Sequence, residues 1–291
     1  MSAILNAKRN ARSVVGERIR KTANPREKKA ALEEAKALKK DATELESKLA
    51  ELDDQLLSLA LAIPNDTHPS SPLGPESAAV ILSTHGPEPI PTSPARDHVA
   101  VSRALELMDL EAGATVTGSS WYYLLNEGAL LEIALTNYAL SIALKHGFSP
   151  VTTPDVVRSD IAQRCGFQPR DHDTDPPTSQ MYYIANHTTS APQYTHPELV
   201  LSGTAEIPLA GLFANKLLPP NVLPMKVVGL GRSFRAEAGA RGSETRGLYR
   251  VHQFSKLELF AVAQEGQSEG VMEDMRKVQV EIYSGLGFPF R

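Results

Sequence analysis

Cysteine is nearly missing from this chain: Cys165 stands alone among 291 residues. An internal disulfide is therefore impossible, and no cysteine-based zinc cluster can form. Cys165 reads as a small apolar filler, which fits a reducing compartment. No apolar run reaches the ~20 residues that a membrane-spanning helix needs, and no secretory signal is visible. No segment matches the Gly-x-x-x-x-Gly-Lys-Ser/Thr phosphate loop. Gly229-Leu230-Gly231 lacks a third glycine and a following helix signal, which argues against a dinucleotide fingerprint. His172, His187 and His196 are irregularly spaced in a polar stretch and read as surface residues, so no metal site is expected. A surplus of positive charge is also lacking, since the net charge is −4.

That net value hides an asymmetry. Residues 1–40 hold 12 Lys/Arg against 4 Asp/Glu, a local +8, which leaves −12 on the rest. A basic element on an acidic body fits contact with a polyanion, and equally a solvated helical face. Residues 3–22 are helix-compatible, and Asn24-Pro25 breaks the run. Leu38, Ala42, Leu45, Leu49, Leu52, Leu56, Leu59 and Ile63 then alternate spacings of four and three, and Ala31 and Ala35 extend this a/d stripe. Two such helices would pair as an antiparallel coiled coil whose second member is the longer. The stripe alone also describes an oligomerising coiled coil.

Prolines at 64, 69, 72, 75, 87, 89, 91 and 94 mark 64–98 as a linker or extended wrap. A helix is expected at about 99–109, a short strand at Gly118–Leu124, and a helix over 127–146 stopped by Gly147. Phe148–Pro154 reads as a strand, 160–198 as irregular, Leu199–Thr204 as a strand, Ile207–Lys216 as a short helix and 269–285 as an amphipathic helix.

The most informative stretch is 223–262. Apolar-rich runs at Leu223–Leu230 and Leu257–Val262 flank a polar loop with glycines at 239, 242 and 247, the pattern of a long β-hairpin. On strands, Arg235 and Glu237 would share a face, as would Arg250, His252, Phe254, Lys256 and Glu258. Val251, Leu257 and Leu259 fall on the opposite, buriable face. Arginine forks suit phosphate and carboxylate oxygens, and a phenylalanine can stack on a base. Carboxylates accept from amines and hydroxyls. A ligand with phosphate, base and a small amine-bearing group would use all three; a salt-bridged exposed sheet face is the plainer account.

Phe234-Arg235-Ala236-Glu237-Ala238-Gly239, followed by Thr245-Arg246-Gly247-Leu248-Tyr249-Arg250-Val251-His252-Gln253-Phe254-Ser255-Lys256-Leu257-Glu258, closely resembles the second signature motif of class II aminoacyl-tRNA synthetases, and in detail the seryl-tRNA synthetase family. Thr204-Ala205-Glu206 looks like that family's serine-binding tripeptide. Ile63-Pro64-Asn65 with His68-Pro69 looks like its junction between arm and catalytic domain.

The resemblance implies an α+β fold: a class II antiparallel sheet with flanking helices, preceded by an antiparallel coiled-coil arm. It implies an arm at 1–63, a Pro-rich linker at 64–98 and a catalytic domain at 99–291. It further implies ATP-dependent activation of serine and transfer to tRNA(Ser), with Mg²⁺ required and a homodimer formed through about 127–154. Arg235 would bridge the α-phosphate and the serine carboxylate as the catalytic residue. Thr204, Ala205, Glu206 and Glu258 would bind serine with it, Glu258 accepting from the hydroxyl. Ala236, Glu237, Arg250, Val251 and Phe254 would line the ATP site with Arg235, Glu237 taking the adenine amino group and Phe254 stacking under the ring. The family's third motif is not found; Gly285–Arg291 only imitates it, so the chain resembles an internal portion of the family's sequence. The insertion at 168–196 looks like that of organellar members, which implies the mitochondrial matrix, with the cytoplasm as the alternative. A synthetase-like paralogue, or a coiled-coil interaction protein without aminoacylation, would share these features.

Overall fold

A computed structural model describes residues 2–61, 63, 66–167, 179–185, 198–237 and 246–291. The glycines at 239 and 242, the Asp171–Pro177 loop and His172, His187 and His196 lie outside those residues. The chain divides into two compact units, 1–71 and 72–291.

In the first unit, helices α1 (Ser2–Lys21) and α2 (Pro25–Leu61) meet at the Thr22–Asn24 break. Ion pairs Lys8–Asp41, Arg9–Glu46 and Arg18–Glu34 fix them as antiparallel. These exposed pairs contribute only ~0.2–1 kcal/mol each, so the hold is apolar. Leu5 and Val15 of α1 and Ala31 and Ala42 of α2 are the buried residues of the pair. The heptad stripe is covered only in part. Leu38, Leu45 and Leu49 are half-buried, whereas Leu52, Leu56 and Leu59 are 40%, 66% and 69% exposed. The ion-pair register explains this: Ser2 falls opposite about residue 48, and α2 continues to Leu61.

The second unit begins with extended chain, tied down where His85 bridges Phe290. It continues through α3 (His98–Ala104), β1 (Met108–Asp109), α4 (Leu110–Val116), β2 (Tyr123–Leu124), α5 (Asn126–Lys145) and β3 (Ser149–Thr152). β4 (Val156–Arg158), α6 (Ser159–Arg164), β5 (Leu199–Leu201) and α7 (Glu206–Phe213) follow. β6 (Met225–Phe234), β7 (Gln253–Val262) and α8 (Ser268–Leu286) complete it.

Several expectations change here. The helix expected at 99–109 ends at Ala104, because Glu106 adopts a left-handed φ of 53°. Asp109 then caps a separate helix by accepting from the Ala112 amide at 2.8 Å. Residues 160–164, read as irregular, are helical, and the strand expected at 199–204 stops at Leu201. The sheet is mixed rather than wholly antiparallel. β6 and β7 form an antiparallel ten-residue hairpin, and β3 lies parallel to β6 with Ser149 opposite Val227.

One face of this sheet presents Val228, Leu257 and Leu259 to Ile142 and Ala143 of α5, Phe148 and Val278 of α8. The hydrophobic period of α5 and α8 supplies that covering layer. A second cluster joins Val157, Ala162, Met181, Val200 and Ile207 beneath the β4–β5 pair. The two clusters hold the hairpin from one side and the 202–209 segment from the other.

Candidate functional site

The hairpin register decides what faces what. Gly229 pairs with Glu258, Gly231 with Lys256 and Ser233 with Phe254, so all six share one face. Gly229-Leu230-Gly231 is thus mid-strand and no phosphate loop. A Cβ on Gly229 would meet Leu209 at 3.1 Å, and one on Gly231 would meet Ala205 Cβ at 3.2 Å. The bare backbone lets the Thr204-Ala205-Glu206 turn and α7 lie directly on the strand. The ladder stops at Phe234 and Gln253, short of the expected extent. Arg235, Glu237, Arg250 and His252 therefore sit just past its end. One further bond, from the Arg235 amide to the His252 carbonyl at 2.9 Å, prolongs the pairing. Glu237 lies outside any strand, with φ 47°.

At the strand centre the structure brings together Thr204 and Glu258, 54 residues apart. The Thr204 hydroxyl donates to Glu258 Oε2 at 2.7 Å. Lys256 Nζ lies 2.8 Å from the same oxygen and donates to Thr204 Oγ1 at 3.2 Å. Thr204 is buried, and the Glu258 side chain is 18% exposed. Ser202, also buried, anchors the turn by donating to the Thr204 carbonyl at 2.6 Å. Ala205 is 1% exposed and acts as floor against Gly231. Glu206 is exposed beside this pair, and its charge adds a secondary upward push to the pKa of the Cys165 thiol, which burial raises first.

Towards the hairpin tip, the Arg235 guanidinium lies 5.1 Å from the centre of the Phe254 ring and donates through Nε to the Gly203 carbonyl at 3.3 Å. No carboxylate pairs with Arg235 among the described residues, so its charge remains open to an anion. Arg250 Nη1 meets Glu237 Oε2 at 3.3 Å. Val251 is buried, and the Ala236 amide donates to the Gln180 carbonyl at 3.0 Å.

His252, placed on the polar face by alternation but given no role, and Trp121 and Tyr182, which were missed, hold the Arg235 backbone in place. His252 Nδ1 lies 3.0 Å from the Arg235 carbonyl and 2.9 Å from the Tyr182 hydroxyl, and Trp121 stacks on the imidazole at 5.7 Å. Burial, reinforced by the charge of Glu237, pushes the Tyr182 phenol pKa up and keeps it protonated. His252 carried the strand alternation as a signal; Trp121 and Tyr182 carried none. Among the described residues no group of three or more His, Cys, Asp or Glu could hold a metal ion.

The face thus combines a guanidinium with no carboxylate partner among the described residues, an aromatic ring and a buried hydroxyl–carboxylate pair. The family model for the class II core domain of tRNA synthetases (G, H, P, S and T) covers residues 188–291. The serine–tRNA ligase of Treponema denticola is 40% identical over 230 residues, 79% of this chain and 51% of that protein. The mitochondrial serine–tRNA ligase of Schizosaccharomyces pombe is 39% identical over 274 residues, 94% of this chain and 55% of its own. The chain spans about half the length of the curated relatives it matches. Pyrococcus horikoshii seryl-tRNA synthetase, solved with ATP, superposes with a TM-score of 0.73 at 29% identity, covering 99% of this chain and 66% of that one. Arm, mixed sheet and hairpin sequence agree, and the chain is a homologue of serine–tRNA ligases that carries the class II synthetase core.

Proposed function

We propose that the hairpin face activates serine with ATP and passes the seryl group to tRNA(Ser). The observation that carries this reading is the Arg235 guanidinium, which has no carboxylate partner among the described residues and is set between the Gly203 carbonyl and the Phe254 ring beside the Thr204–Glu258 pair. Arg235 grips the α-phosphate and the serine carboxylate together. That bridge aligns nucleophile and phosphorus and stabilises the charge that grows between them. Phe254 stacks under adenine, and Glu237, held by Arg250, accepts from its amino group. Ala236 and Val251 border the nucleotide through their backbones. Thr204 and the exposed Glu206 carboxylate take the substrate ammonium above the Ala205 floor, while Glu258 accepts from the hydroxyl. A site built around a hydroxyl rejects the analogue lacking it by ~10⁴–10⁵.

Mg²⁺ would be carried on the nucleotide's own phosphates, in line with its preference for phosphate oxygens and few protein ligands. The helix pair at 1–63 is the tRNA-binding arm, joined through 64–98 to the catalytic domain at 99–291. A homodimer forms through 127–154, where α5 leaves Leu130, Leu131 and Ile133 exposed. Likeness to the mitochondrial enzymes of two yeasts favours the mitochondrial matrix.

Serine-dependent ATP–pyrophosphate exchange tests the reading, together with calorimetric binding of a non-hydrolysable seryl-sulfamoyl adenosine. The chain binds the analogue, and Arg235→Ala abolishes both binding and exchange. A chain that binds neither serine nor the analogue defeats the proposal.

A further inference from the structure

Lys256 has no role in the activation chemistry above, yet it stands at the centre of the amino-acid pocket. It shares the Gly231 face of β7 with Glu258. Its ammonium, Thr204 Oγ1 and Glu258 Oε2 form a closed triangle with sides of 3.2, 2.7 and 2.8 Å. Among the described residues these two are its only partners, and its side chain is 35% exposed, so the stem has a way out to solvent. The two oxygens it engages are those that serine needs for its ammonium and its hydroxyl. An ammonium on a flexible four-carbon stem is chemically the same donor as an α-ammonium, with three protons and no acceptor.

We propose that Lys256 is a resident stand-in for the substrate ammonium. It neutralises Glu258 and orients Thr204 in the empty pocket, and serine binds by exchange, displacing it towards solvent. Lys256 is a positioning residue and makes no bond to the reacting atoms. The inference rests on the serine reading and names how that site is regulated. Exchange has a directional consequence. With the lysine removed, a ligand's own ammonium meets an unopposed Glu258, while a ligand without one meets a bare carboxylate.

The test uses Lys256→Met and Lys256→Arg in the full 291-residue chain, with serine and its des-amino analogue 3-hydroxypropionate as calorimetric probes. Lys256→Met tightens serine by about two- to fivefold, the factor for a partly exposed ion pair no longer broken on binding. It weakens 3-hydroxypropionate, so the ratio of the two affinities rises, and Lys256→Arg returns that ratio towards wild type. Equal weakening of both probes would mean that Lys256 grips the carboxylate, and an unchanged ratio would mean a purely structural lysine; either overturns the proposal.

A second measurement needs no ligand: [¹⁵N]lysine spectra of the wild type contain one exchange-protected ammonium. That signal is missing in Lys256→Met, lost in Glu258→Gln and released by serine. Its absence in the empty wild type overturns the stand-in whether or not serine binds. Its persistence with serine bound overturns the exchange alone. A wild type that binds no serine defeats the serine reading, and the exchange with it.

Discussion

Replacing Thr204 by valine isolates one oxygen. Valine keeps the volume of threonine, so no cavity opens at this buried position. Three contacts disappear: the 2.7 Å bond to Glu258, the 3.2 Å bond from Lys256 and the 3.3 Å bond from the Glu206 amide. A hydrogen bond to a charged group contributes ~1.5–3 kcal/mol, and a buried acceptor stripped of its donor costs ~1–3 kcal/mol. Glu258 and Lys256 retain each other and some water, so the lower end applies: about 2 kcal/mol for the set. In a unit of this size that lowers Tm by roughly 4–8 °C. Urea unfolding followed by circular dichroism measures the loss, and Thr204→Ser, which restores the hydroxyl, recovers most of it. The same substitution weakens serine by about tenfold or more, one tenfold step per ~1.4 kcal/mol, while ATP binding is unchanged. If Thr204→Val matched wild type in both stability and serine affinity, the hydroxyl would be incidental and the pocket misassigned.

Glu258→Ala should raise the KM for serine in pyrophosphate exchange by at least tenfold with little change for ATP; equal damage to both would dissolve the separate subsites. The Tyr182 and Tyr122 phenols are both held above their ordinary range, Tyr122 by burial and then by Glu132. Such groups stabilise the fold below pH ~10, and that contribution is lost as pH rises through their native values, because the unfolded chain gives up its protons first. Chemical denaturation between pH 8 and 11 should show a decline beginning near pH 10, shallower in Tyr182→Phe; an identical slope would remove Tyr182 from the account. Deleting residues 1–40 should weaken tRNA binding, most at low salt, while leaving adenylate formation; parallel loss of both would refute a division of labour.

Much of this was legible before any coordinates. The heptad stripe gave the second arm helix, Asn24-Pro25 marked the end of the first, and strict alternation assigned Leu257 and Leu259 to the core face and Lys256 and Glu258 to the polar one. The strand ends were less readable. Arg235 and Glu237 continue the alternation on paper, but Glu237 turns left-handed and the ladder closes before it. The parallel partner β3 gave no pairing signal, because register across 78 residues is set by packing and leaves no local mark. The support for Arg235 was hidden for a similar reason: Trp121 and Tyr182 reach His252 only through the fold. Gly229 and Gly231 were visible but misleading, since a Gly-x-Gly in a strand reports close approach as readily as a phosphate site.

The bareness of those two glycines limits how the pocket could be redesigned. Most binding sites can be enlarged by trimming a side chain from the wall opposite the ligand. Here the strand beneath Ala205 is already naked main chain, drawn tight against the turn, and offers nothing to cut. Acceptance of a bulkier amino acid therefore has to come from the rim, at Thr204, Lys256 or Glu258, and each of those changes also alters the charge or hydrogen bonding that does the selecting.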